Sequence, residues 1–268
     1  MWKKSINCSN ASEFYDRKIE EITELNEKVK IIKCSRIASS QKEEFLERIK
    51  NPAASDLLKV ICQFISDFNS STESDDSVKS KIVQGFYAEI AKEVERHPLW
   101  SKSNAELLRV TLEDIEKYVM CKIYDQAFSS KTDDSLDDSL RSRIQLLNGM
   151  KLEFLLGKEA ENAILPNFIM DTIIKNCGKE LMKLNVFKSP VEKLAVLTKS
   201  TKILVENLSA KIPNVNADVL MPFTVFLLIK INPFKIISNL SYIQRYRNQS
   251  LFDGEDGYYF TNIVNISQ

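Results

Sequence analysis

Only one histidine, His97, occurs in the 268 residues, and it sits at a helix end beside Pro98 in a charged setting. A nucleophile activated by a histidine base is therefore excluded, and His97 is expected to be a surface or capping residue. The five cysteines are odd in number, widely spaced and without a Cys-x-x-Cys pair. With a lone histidine they exclude a zinc site and a disulfide framework and point to a reducing compartment. No Gly-x-Gly-x-x-Gly or Gly-x-x-x-x-Gly-Lys-Ser/Thr pattern is present, so no nucleotide is held by a glycine-rich loop and no cofactor is expected. Neither sign of charge is in excess, with 37 basic against 37 acidic residues. That removes any general attraction to nucleic acid or to an anionic membrane, so a partner must be recognised by shape. Six glycines and seven prolines are too few for the many turns of a strand-rich chain, which makes an all-α fold the expectation. The longest apolar run, from Val219 to Ile231, is broken by Lys230 and falls short of the roughly 20 residues that a membrane span needs. The opening Met1-Trp2-Lys3-Lys4 leads into polar residues with no apolar core of signal-peptide length, so a cytoplasmic protein without direct membrane insertion is expected.

What the chain does contain is apolar spacing at helical period. Hydrophobic residues make up 44% and charged residues 28%, the balance of a packed globular protein. Helices are expected over residues 12–32, from Ser40 with Glu43 as a capping box, and from Pro52 with Leu57, Ile61, Phe64 and Ile65 as its buried stripe. A fourth spans about 78–95. A fifth begins at a Ser103/Glu106 capping box and turns Leu108, Leu112, Ile115, Val119 and Ile123 to the core. Ser189-Pro190-Val191-Glu192 is the clearest start signal: N-cap serine, proline at the first helical position, glutamate at the third. Residues 129–138 carry the acidic pairs Asp133-Asp134 and Asp137-Asp138 among serines. Without the glycine and closing glutamate of a calcium loop, they read as a solvated linker. A boundary between an N-terminal helical bundle and a C-terminal module is expected near residue 100.

The densest concentration of special residue types lies at the far end. An apolar helix opening near Asp218 and Pro222 is broken at Asn232-Pro233; a further helix leads to Gly254-Glu255-Asp256-Gly257-Tyr258-Tyr259-Phe260-Thr261-Asn262. Tyr258 and Thr261, three residues apart, would share one helix face. Read singly, Asp218 is an N-cap and the tyrosines are packing residues.

Together these blocks, with Asp114-Ile115-Glu116-Lys117-Tyr118-Val119-Met120, Lys188-Ser189-Pro190, Lys193-Leu194 and Ser238-Asn239-Leu240-Ser241-Tyr242-Ile243, resemble the Vps-nine domain family of Rab guanine-nucleotide exchange factors, Rabex type. The resemblance implies an N-terminal helical bundle over residues 1–100 packed on a layered all-helical exchange domain over 101–268. It implies GDP release from a Rab-five subfamily GTPase, with Asp218 as an aspartate finger competing for the P-loop lysine and Tyr258 meeting the switch regions. Thr261, Pro222 and Tyr242 are implied at the partner surface, and recruitment to early endosomes is implied for the protein as a whole. Val219 replaces a common acidic residue and Phe234 a proline, and the family's further C-terminal helix is not reached before Gln268, so a truncated domain is expected. The alternative is a Rab-binding scaffold of the same fold that has lost exchange activity.

Overall fold

The computed structural model describes residues 51–101, 104–128, 130–156, 165–212, 215–252 and 254–267. The helix expected over 12–32, the capping box at Ser40 and the cap at Ser103 lie outside these residues. Among the described residues there are nine α-helices and no strand: α1 (Ser55–Ser70), α2 (Asp76–Arg96), α3 (Ala105–Ala127), α4 (Lys131–Leu147), α5 (Asn167–Leu181), α6 (Pro190–Ser209), α7 (Ala217–Ile231), α8 (Ile236–Tyr246) and α9 (Gly254–Ser267). The all-α expectation is met.

Two hydrophobic cores are built from these helices. Leu57 and Ile61 of α1, Val83, Phe86 and Ile90 of α2, and Ile115, Val119 and Ile123 of α3 form one. Helices α5, α6, α7 and α9 form the other around Ile173, Leu197, Leu204, Phe223 and Phe260. Helix α8 serves both. Tyr242 and Tyr246, one turn apart, enter the first core, whereas Ile236, Leu240 and Ile243 enter the second. Each such aliphatic side chain contributes about 1.5–3 kcal/mol when fully buried, so a helix with two apolar faces is held firmly between the layers. The start of α6 follows the sequence signal, with Ser189 accepting a hydrogen bond from the Glu192 amide at 3.3 Å and Pro190 at the first position. Helix α3 is capped by Asn104, whose side chain accepts from the Leu107 amide at 2.8 Å.

His97 takes the capping place expected of it, as the C-cap of α2, and it is buried there: Nε2 lies 3.3 Å from Asp56 Oδ1, and Nδ1 accepts from the Leu99 amide at 3.2 Å. One polar expectation is corrected. The acidic stretch expected as a solvated linker is the first half of α4, capped by Ser130, with Asp133 and Asp137 buried on one face. Asp133 pairs with Arg245 at 2.6 Å. Asp137 accepts from the Ile237 amide at 2.6 Å, the Ser238 amide at 3.1 Å and the Ser238 hydroxyl. It thereby caps α8 from another helix, because α8 begins at Lys235 in a left-handed conformation (φ 54°) with no side-chain cap of its own. Asp137→Ala should therefore cost about 1.5–3 kcal/mol, the scale of hydrogen bonds to a charged group, seen as a lower urea midpoint at unchanged slope.

Lys193 supplies an unusual core contact. Its ammonium is fully buried, donates to the Leu184 carbonyl and to Asn239 Oδ1 at 2.6 Å each, and lies 4.9 Å from the Phe128 ring centroid and 5.4 Å from that of Tyr124. Burial pushes its pKa down from 10.5 to about 7. A lowered folded-state pKa means that the unfolded chain binds the proton more tightly between those limits. Stability is thus lost as pH falls from 10.5 to about 7, and this group has no further effect below. Lys193→Met should remove that dependence, at most about 1.4 kcal/mol per pH unit, when urea unfolding of the two proteins is compared across the window.

Candidate functional site

The apolar helix α7 begins two residues earlier than an Asp218 cap would require. Asn216 is the N-cap, accepting from the Val219 amide at 3.0 Å, and Asp218 stands in the first turn. The cap expectation for Asp218 is corrected, and the reason is simple: two residues with similar capping side chains lie two positions apart, and only one can hold the cap geometry. Asp218 is exposed and makes no hydrogen bond or ion pair with a described residue. Its carboxylate sits at the positive end of the helix dipole, an arrangement that stabilises the start of α7. Pro222 has no N–H, so the Asp218 carbonyl has no intrahelical donor from that position. Leu220, Phe223, Thr224 and Leu227 bury the opposite side of α7. Asp218, Met221 and Pro222 share the outer side, where Met221 is 47% exposed.

The second part of the site is α9. Gly254 opens it with φ 68°, a left-handed conformation that suits glycine and would strain any residue with a Cβ. The first turn is fastened to α6: Lys202 meets Glu255 at 2.6 Å, and the Thr198 hydroxyl donates to Asp256 at 2.8 Å. Lys202 and the Tyr259 hydroxyl together hold the Glu255 carboxyl below its ordinary pKa. Burial raises the Tyr259 phenol to about 12. Tyr259, Phe260 and Ile263 turn inward, while Tyr258, 48% exposed, and Thr261 turn outward. The two adjacent tyrosines therefore have different positions: Tyr259 packs, Tyr258 is presented.

Helices α7 and α9 pack against one another, with Thr224 and Leu227 of α7 and Ile263 of α9 around the same small internal space. The exposed Asp218, Tyr258 and Thr261 and the half-buried Pro222 thus lie on two neighbouring helices braced by one core. Tyr242 is not among them. It is 1% exposed, and its hydroxyl donates to the Lys188 carbonyl at 2.8 Å, so as a surface contact it is corrected to an internal support. Sequence reasoning missed Met221, although its spacing from Asp218 and Pro222 places it on the same face. A Tyr258→Ala change should leave thermal stability within about 0.5 kcal/mol, as for an exposed side chain. Tyr259→Ala should cost about 3–5 kcal/mol, as for a buried ring, and calorimetry of the two variants separates the roles.

Among the described residues no group of three or more histidine, cysteine or carboxylate side chains is placed to hold a metal ion, and no helix is long and apolar enough to cross a membrane. The arrangement offers a partner an exposed carboxylate, an apolar thioether, a phenol and a hydroxyl on rigid helices.

Comparison with known proteins bears on that arrangement. The model of the Vacuolar sorting protein 9 (VPS9) domain matches residues 174–266, which include α6, α7, α8 and nearly all of α9. A second model, described as a domain of unknown function (DUF5601), matches residues 59–124. Vacuolar protein sorting-associated protein 9A of Arabidopsis thaliana is 35% identical over 227 residues, covering 82% of this chain and 42% of that protein. Rab5 GDP/GTP exchange factor of Homo sapiens is 28% identical over 227 residues, covering 82% of this chain and 45% of that protein. The chain spans less than half the length of these relatives. With the exposed positions of α7 and α9 inside the matched domain, and with an all-helical framework around them, the chain belongs to the VPS9-domain family.

Proposed function

We propose that this chain promotes GDP release from a Rab-five subfamily GTPase, with Asp218 as the group that enters the nucleotide site and Tyr258, Thr261 and Pro222 at the partner surface. The observation that carries this reading is the exposed, unpartnered carboxylate of Asp218 on the first turn of a helix whose other side is core. A carboxylate tied up in an ion pair would have to give up that partner before meeting another cation. Asp218 has none to give up among the described residues. In P-loop GTPases a lysine and a magnesium ion hold the β-phosphate. A carboxylate brought to about 4 Å from that lysine gains roughly 4 kcal/mol at an effective dielectric near 20, and it repels the phosphate it replaces. The rigid packing of α7 keeps the cost of ordering the group low, because the helix is already fixed before the partner arrives.

The relative named Rab5 GDP/GTP exchange factor supports the choice of GTPase class. On this reading residues 1–100 act as a supporting helical bundle and residues 101–268 carry the exchange surface, in a protein that works at endosomal membranes. The test is release of a fluorescent GDP analogue from a panel of purified Rab GTPases with the full chain added. Acceleration confined to Rab-five-type GTPases is expected. Tight binding to the nucleotide-free GTPase without faster release would replace the exchange reading by a scaffold.

A further inference from the structure

The segment that launches α9 is held from outside its own domain match. At the end of α8 the chain turns through Arg245, Tyr246, Arg247 and Asn248, and the carbonyls of Arg245, Tyr246 and Arg247 lie beyond the reach of a further helical donor. Helix α2 supplies them. Gln84 donates from Nε2 to the carbonyls of Arg245 (3.1 Å) and Arg247 (2.8 Å) and accepts from the Gln249 amide through Oε1 (3.3 Å). The Ser80 hydroxyl donates to the Arg245 carbonyl at 2.8 Å and the Tyr87 hydroxyl to that of Tyr246 at 3.2 Å, so three side chains at successive turns of α2 grip four residues of the segment.

The grip continues toward α9. The Arg247 guanidinium, anchored on Glu113 and Glu116 of α3, also donates to the Leu251 carbonyl at 3.2 Å. Phe252 then packs edge-on against Phe260 of α9 at 5.1 Å between centroids. Gly254, in its left-handed conformation, opens the helix that carries Tyr258.

We propose that Gln84 is a positioning residue for nucleotide exchange: through the segment 245–249 it sets the direction in which α9 leaves and so the placement of Tyr258. The inference rests on the reading of Tyr258 as a partner contact. It assigns to α2 a role in the activity and not only in holding the fold.

Gln84→Met keeps the length of the side chain and removes all three hydrogen bonds. In the full chain, amides of α9 should exchange about ten times faster with solvent deuterium, while those of α5 stay unchanged. Leu57→Val, which weakens the α1 core without touching the segment, should leave α9 protection in step with its overall stability. In the GDP-release assay Gln84→Met should raise the half-saturating concentration of the exchange factor about ten- to a hundredfold, as for a misplaced contact. In a Tyr258→Ala background the same change should add little, because both act on one contact. Unchanged α9 protection, or effects that multiply in the double variant, would overturn the proposal. If the unaltered chain releases no GDP while Gln84→Met still frees α9, the exchange reading fails and the hold of α2 on α9 stands.

Discussion

Asp218→Ala should lower the rate of GDP release from the responsive GTPase by about a hundred- to a thousandfold, the effect of removing one preorganised charged group from an electrostatically driven step. The magnitude follows from what the carboxylate does on the proposed reading. It is the only carboxylate of α7, and neither the thioether of Met221 nor the ring of Pro222 carries a negative charge that could compete for a cation. The cost to the fold should be small, because Asn216 holds the cap and Asp218 contributes only its interaction with the helix dipole, under about 1 kcal/mol. The reverse pattern is expected of Asn216→Ala, which removes the cap at a cost of about 1 kcal/mol of stability but leaves the carboxylate in place. Asp218→Asn separates charge from shape. If it matches the alanine variant, charge competition is the mechanism; if it retains full activity, the finger acts by shape and the electrostatic account fails. Stopped-flow release at saturating exchange factor, with circular dichroism to match folding, is the deciding measurement.

Much of the framework could be read from spacing alone. The start of α6 at Ser189-Pro190, the apolar run of α7 and its end at Asn232-Pro233, and the turn into α9 are all local signals, and each appears where local chemistry puts it. The same holds for the shared face of Tyr258 and Thr261, which follows from a three-residue spacing. Which of two adjacent tyrosines faces outward does not follow from spacing, because that depends on where α6 and α7 lie. The first half of helix α4 was illegible for a different reason. Its buried side is made of Asp133 and Asp137, whose partners Arg245 and Ser238 stand about a hundred residues away, so no apolar stripe marks it. Tyr242 misled in the same way: an aromatic within a family-like block suggests a contact, and only packing against Tyr124 and Phe128 shows it to be interior.

A stability effect as large as that of Tyr259→Ala should come from the pair Glu116 and Arg247. Glu116 is fully buried, its Oε2 lies 2.5 Å from Arg247 Nη1, and it accepts from the Asn248 amide at 3.1 Å. Burial raises the Glu116 pKa to about 7, outweighing the pull of the guanidinium. The same burial opposes the charge on Arg247, which two carboxylates nevertheless hold protonated. Removing either partner alone strands the other in the interior. Arg247→Met and Glu116→Leu should each cost about 3–5 kcal/mol by urea unfolding. The double variant should cost less than the sum by about 1–3 kcal/mol, because neither charge then remains. The pH dependence gives an independent check. Since the folded protein holds the Glu116 proton more tightly than the unfolded chain, stability should fall as pH rises from 4.5 to about 7. Glu116→Gln, uncharged and of the same shape, should abolish that fall and cost less than Glu116→Leu, because it can still accept from the Asn248 amide. Strictly additive costs in the double variant would mean that Glu113 and the Leu251 carbonyl satisfy Arg247 without Glu116, and that α3 holds the approach to α9 through Glu113 instead.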